Sequence, residues 1–236
     1  MRFARLMLSA VLLASTAGVV MAQESETPAA LERDPSGWTD LLAKAGPELN
    51  GWVRGPIPPK GKLNPRSQWS IDPATGHLIC AGDGGHEWLR WDRPVGDGIF
   101  HVEWRFTLTP GKRGYNSGIY ARNSADARIW HQAQTGDASG GYVFGETEVD
   151  GKLKGINLSK QARPSRVKPA GEWNTFEIAC KGKDVTLWVN GAITNRWDDC
   201  RVPSGYVGVE AEGYRIEFRN VKLKPLDEAS AVKAKE

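Results

Sequence analysis

The chain has 236 residues and a formal net charge of +3, and it contains 27 Gly and 10 Trp. Its charges are interspersed in both signs, which excludes the basic footprint of a nucleic-acid or acidic-membrane binder. The length suits one domain with a sizeable core, and the many glycines fit a turn-rich β protein with tight hairpins.

At the start, Arg2 and Arg5 precede an apolar run from Leu6 to Val20, and Val20-Met21-Ala22 supplies small residues at its end. This pattern reads as a secretory signal peptide over residues 1–22, cleaved after Ala22. It predicts a secreted or periplasmic protein with a mature net charge near +1 once the two arginines are removed. The run is shorter than the roughly 20 apolar residues of a spanning helix, and no later segment is apolar enough to cross a bilayer. Residues 23–36 are polar and read as a flexible lead-in. Residues 37–226 form the domain, and 227–236 are a charged tail.

Within the domain, an amphipathic helix is expected over 37–45. Beyond it, side chains alternate with the period of two that marks strands. In 100–106, Phe100, Val102, Trp104 and Phe106 face one way, against His101, Glu103 and Arg105. In 116–122, Ile119 and Ala121 face inward, with Asn116, Gly118, Tyr120 and Arg122 opposite. In WHQAQ, Trp130, Gln132 and Gln134 alternate against His131 and Ala133. Strands follow at 174–180 and 184–190, turning through Lys181-Gly182-Lys183. Asn190-Gly191 is a tight-turn signal before 192–197. The last pair, 206–212 and 215–221, is joined through Gly213-Tyr214. Successive hairpins of this kind predict an all-β sandwich or barrel.

The three cysteines, Cys80, Cys180 and Cys200, allow at most one internal bridge. Cys180 and Cys200 flank one predicted hairpin and are the favoured pair. No zinc spacing, phosphate-binding glycine loop, HExxH helix or GxSxG elbow is present.

Polar residues opposite the core side chains are candidates for an outer-face groove. They are Glu103, Arg105, Asn116, Tyr120, Arg122, Gln132, Gln134, Glu210, Glu212, Glu217 and Arg219, with Trp130 beside the glutamines. Amides, guanidinium groups and carboxylates next to aromatic rings suit a carbohydrate: planar polar groups bind hydroxyls, and ring faces stack on the sugar. Most outer-face polar residues merely meet solvent, so the argument rests on their number together. The segment DGGHEWLRW (83–91) reads equally as a loop leaning over such a groove or as an ordinary exposed loop.

Taken in order, VEWRF (102–106), NSGIYAR (116–122), WNTFEI (173–178), VTLWVNG (185–191), GYVGVEAEG (205–213) and IEFRNVKLKPL (216–226) resemble the 3-keto-disaccharide hydrolase family. Trp38-Thr39-Asp40-Leu41-Leu42 and Trp52 resemble its N-terminal strand. The resemblance implies a two-sheet jelly-roll sandwich, concanavalin A-like, acting on glycosides oxidised at carbon 3. Carried over residue by residue, it implies Glu103 and Glu212 as acid/base groups. Arg105, Asn116, Tyr120, Arg122, Trp130, Gln132, Gln134, Glu210 and Arg219 are then expected to bind the substrate. The family's Glu-x-Gln is here Gln132-Ala133-Gln134, which keeps hydrogen bonding but removes a carboxylate. No cofactor and no obligatory metal are expected; the partner expected is a carbohydrate. The alternative reading is a non-catalytic, lectin-like carbohydrate-binding module.

Overall fold

The structure is a computed structural model describing residues 26–136 and 139–226. The predicted signal peptide and charged tail lie outside the described residues. In chain order the elements are a one-turn helix α1 (Ala30–Arg33), then β1 (Thr39–Asp40), β2 (Trp52–Pro56), β3 (Trp69–Ile71), β4 (Leu78–Cys80) and β5 (Glu87–Trp91). Next come β6 (Gly98–Phe106), β7 (Gly118–Asn123), β8 (Trp130–Gln134), β9 (Val143–Val149) and β10 (Lys152–Asn157). The rest are β11 (Asn174–Lys181), β12 (Asp184–Val189), β13 (Ala192–Trp197), β14 (Tyr206–Ala211) and β15 (Ile216–Pro225).

They form two antiparallel sheets. The back sheet has eight strands in the order β13-β12-β11-β6-β15-β4-β3, with β1 also pairing to β15. The front sheet has seven, in the order β10-β9-β8-β7-β14-β5-β2. Chain-distant strands lie side by side in both, as in a jelly roll, and the fold is the all-β sandwich expected.

The alternating side chains explain the layering. Phe100, Val102, Trp104 and Phe106 of β6 are buried with Phe176 and Ile178 of β11 and Phe218 of β15. Trp104 meets Phe106 and Phe176 edge-on, each at a centroid distance of 5.4 Å. Ile119, Ala133 and Val209 close the core from the front sheet. Each such large side chain contributes about 1.5–3 kcal/mol by burial, and truncating Trp104 would cost more through the cavity left behind. At Asn190-Gly191, φ values of 42° and 102° give the positive-φ turn that returns β12 into β13.

Three expectations are corrected here. Residues 37–45 are not a helix: β1 pairs with β15, and Leu41 and Ala45 are buried in turns that follow it. From Glu26 onward the lead-in is held to the back sheet rather than loose. Thr27 N donates to Gly191 O at 2.7 Å, and the Glu177 carboxylate accepts from the N–H groups of Ala30 and Leu31. The cysteines are three free, buried thiols, with no Cys180–Cys200 bridge.

Candidate active site

One cleft of about 520 Å³ opens on the outer face of the front sheet, a volume in the range of small-molecule sites. It is built where β7, β8 and β14 adjoin. Register places Tyr120 opposite Gln132 and Gly118 opposite Gln134 across β7 and β8. Gly208 lies opposite Tyr120 across β14 and β7, so Glu210 and Glu212 follow along the same face.

Glu210 is the hub. Its side chain is only 3% exposed. Oε1 accepts from the Tyr120 hydroxyl at 2.6 Å, and Oε2 accepts from Gln132 Nε2 at 2.9 Å. His86 Nε2 lies 2.8 Å from Oε1. An ionised carboxylate can only accept, so that nitrogen carries a proton and Nδ1 is the ring's other exchange atom. Gln132 reaches Glu210 by crossing over Gly118: a Cβ there would stand 2.3 Å from Gln132 Nε2. The missing side chain is therefore what lets β8 touch β14 over β7.

From Gln132 a chain of amides runs to the second carboxylate. Gln132 Nε2 also donates to Gln134 Oε1 at 3.1 Å, and Gln134 Nε2 donates to Asn116 Oδ1. Asn116 Nδ2 then donates to Glu212 Oε2 at 2.5 Å. The glutamine at 132 is thus matched to its neighbour, since a carboxylate there would face Glu210 with no proton to share.

Burial shifts the acid/base groups. Desolvation, reinforced by the Glu210 charge, raises the Glu212 carboxyl above its ordinary value. The hydrogen bond to Glu210 raises His86. Desolvation and the same carboxylate push the Tyr120 hydroxyl well above 10, so it stays a donor. Glu212 and His86 line the cleft with raised proton affinities, a perturbation common among groups that exchange protons in acid/base chemistry. His86, Glu210 and Glu212 also offer ligand atoms all within 4.8 Å of one another, a donor set that could hold a divalent cation.

Of the residues singled out in the sequence, Asn116, Tyr120, Trp130, Gln132, Gln134, Glu210 and Glu212 line this cleft. Five others do not. Glu103, Arg105, Glu217 and Arg219 lie on the outer face of the back sheet, with the core between them and Glu212. There Glu103 accepts from Arg219 Nε at 2.7 Å and from Asn220 Nδ2 at 2.6 Å. Desolvation opposes it, but the His101 ring 3.8 Å away and the bonds from Asn220 and Arg219 still hold Glu103 at about 2, an anion rather than a proton carrier. Arg105 pairs with Glu217, and the Arg105 and Arg219 guanidinium groups sit 4.6 and 3.9 Å from the centre of the Trp173 ring.

Arg122 is the fifth. Its expected outward direction fails because Ala121 and Arg122 together oppose Val207 in a β-bulge, and φ of Arg122 is 56°. The side chain turns between the sheets, donating to Gly182 O at 2.7 Å and Asp97 Oδ1 at 2.8 Å.

The cleft residues not singled out beforehand include Ile57, Pro58, Pro59, Ala127, Phe144 and Glu146. His86, in the segment left open between two readings, belongs to the cleft. No alternation marked it, since His86-Glu87-Trp88-Leu89 has no polar–apolar period and Glu87, Trp88 and Leu89 are all buried.

A jelly-roll sandwich with carboxylates, amides and aromatic rings converging on one sheet face defines the class: a carbohydrate-active, glycosyl-hydrolase-like domain. The chain belongs to the family of the 3-keto-alpha-glucoside-1,2-lyase-like domain, whose sequence model matches residues 37–224. No curated protein sequence matches it. Among solved structures it is similar to a candidate glycosyl hydrolase from Parabacteroides distasonis ATCC 8503, with 17% identity, a TM-score of 0.57, and 86% of this chain and 100% of that one covered. It is also similar to the carbohydrate-binding module CBM66 from Bacillus subtilis, with 13% identity, a TM-score of 0.53, and 74% and 95% covered. At these identities the likeness is one of fold. Among the described residues, no helix is long and apolar enough to cross a membrane.

Proposed function

We propose that this protein is an exported enzyme that cleaves 3-keto-glycosides by elimination and rehydration in the cleft on the front sheet. The observation that carries the reading is the raised Glu212 carboxyl beside the His86–Glu210 pair, within one sugar-sized cleft. A ketone at C3 acidifies the C2 hydrogen. Glu212, as carboxylate, takes that proton, and the C–H electron pair forms the enolate. The enolate collapses to a C1=C2 bond and expels the C1 substituent, whose oxygen receives the proton of His86. Water then adds at C1 and a proton returns to C2, giving the free 3-keto sugar. Glu210 fixes the His86 ring, while Asn116 and Gln134 are placed to bind hydroxyls. This route differs from hydrolysis at an oxocarbenium-like centre between two carboxylates.

A second reading, a lectin-like module, is favoured by the amides at Gln132 and Gln134, which add no further carboxylate. The two readings separate on turnover. Purified residues 23–236 would be incubated with 3-keto-glucosides and their unoxidised parents, with and without chelator. Release of aglycone from the oxidised set alone supports the enzyme. Binding without release from either set supports the module, and loss of release with chelator assigns a cation to His86, Glu210 and Glu212. Export is tested by expressing the full chain and sequencing the mature N-terminus, which should begin at Gln23.

A further inference from the structure

The cleft is chemically two-ended. Its carboxylates and amides, Glu210, Glu212, Asn116 and Gln134, gather toward one end of β7, β8 and β14. At the other end of β8, Trp130 meets Phe144 edge-to-face, with centroids 5.2 Å apart and planes at 89°. Ala127, Trp130 and Ile57 belong to a small apolar cluster with Trp88 and Tyr120, separate from the main core. Pro58 and Pro59 line the cleft after Ile57, whose N–H donates to His86 O.

We infer that this apolar end seats a planar aromatic aglycone, so that the substrate is an aryl glycoside rather than a disaccharide. The inference rests on the proposed 3-keto-glycoside chemistry for its sugar half. A second sugar could lay one face on an aromatic ring, but its outward hydroxyls would meet hydrocarbon from Ala127, Trp130 and Phe144 at this end. Glu146, exposed at the rim, is the one charged side chain lining that end. Hydroxyls buried there without partners would each cost about 1–3 kcal/mol. An aromatic ring needs no hydrogen bonds, and the perpendicular Trp130 and Phe144 rings offer it one face and one edge. A phenol is also the better leaving group for the proposed elimination.

The test separates this inference from the chemistry it rests on. Binding of the 3-keto forms of phenyl glucoside, methyl glucoside and a glucosyl-glucose is measured by calorimetry in Glu212→Gln. Turnover of the same three is measured in the unaltered enzyme. The expected result is at least tenfold tighter binding of the phenyl glycoside than of the other two. That ratio should collapse in Glu212→Gln combined with Trp130→Ala or with Phe144→Ala, and largely survive Trp130→Phe. A disaccharide bound as tightly as the phenyl glycoside, or a ratio indifferent to both alanine variants, overturns the aglycone site even if turnover is seen. Absence of turnover with the ratio and its collapse intact overturns the elimination chemistry alone. No binding of any of the three overturns both. Melting curves identify an alanine variant that fails to fold, and the other one then decides.

Discussion

Two groups in the cleft have proton affinities raised by their surroundings, and in the proposed reaction these shifts would set the pH dependence of turnover. Glu212 must be deprotonated to act as base, and its raised carboxyl places the acid limb of kcat/KM above the ordinary 4.5. His86 must be protonated to act as acid, and its raised affinity places the alkaline limb above the ordinary 6.5. A bell-shaped profile is expected, with His86→Gln removing the alkaline limb. Glu212→Gln should lower turnover by roughly 100-fold or more, the typical worth of a positioned acid/base group. Gly118 provides a steric test of the same site. In Gly118→Ala the new methyl would collide with the Gln132 amide, releasing Glu210 from one of its donors. Turnover is expected to fall roughly 100-fold, as for an ångström-scale misplacement, while the melting temperature drops by only a few degrees.

Individual strands decided what could be read from the amino-acid order. Long strands with one buried face, such as β6 and β11, were legible because alternation persists over seven residues or more. β4 escaped notice because all three of its residues are buried and show no alternation. The β9–β10 hairpin was signalled by Asp150-Gly151, both at positive φ, but β10 carries almost no buried side chain. The outer faces of both sheets look alike in a one-dimensional pattern. Glu103 and Glu212 therefore shared a face on paper while belonging to different sheets, since strand adjacency across a sandwich is set by chain-distant pairing. Arg122 was misdirected by its bulge, which inverts the alternation after Ala121. Its new position makes a prediction: the guanidinium joins β7 of the front sheet to the β11–β12 turn of the back sheet. Arg122→Ala should cost about 1–3 kcal/mol of stability, since Asp97 is partly exposed and keeps the Gly182 N–H while Gly182 O loses its donor, read by denaturant melts. Affinity for the sugar in the protein that remains folded should hold; a loss of binding at unchanged stability would instead return Arg122 to the cleft.

Across the whole molecule the three thiols are sealed. Burial pushes Cys80 and Cys180 up to about 12, and Cys200 is 1% exposed. Thiol reagents should therefore find none in the native protein and three after denaturation. A count of one after denaturation would mean that a bridge forms after all. Both ends of the described chain also belong to the back sheet. Thr27 is bonded to the turn between β12 and β13, and Leu226 N donates to Asp97 O beside the start of β6. At Thr27 and Leu226 the described chain therefore leaves the back sheet, not the front-sheet face that carries the cleft. A tether attached close to either of these points is expected to leave the mouth of the cleft facing the surrounding medium.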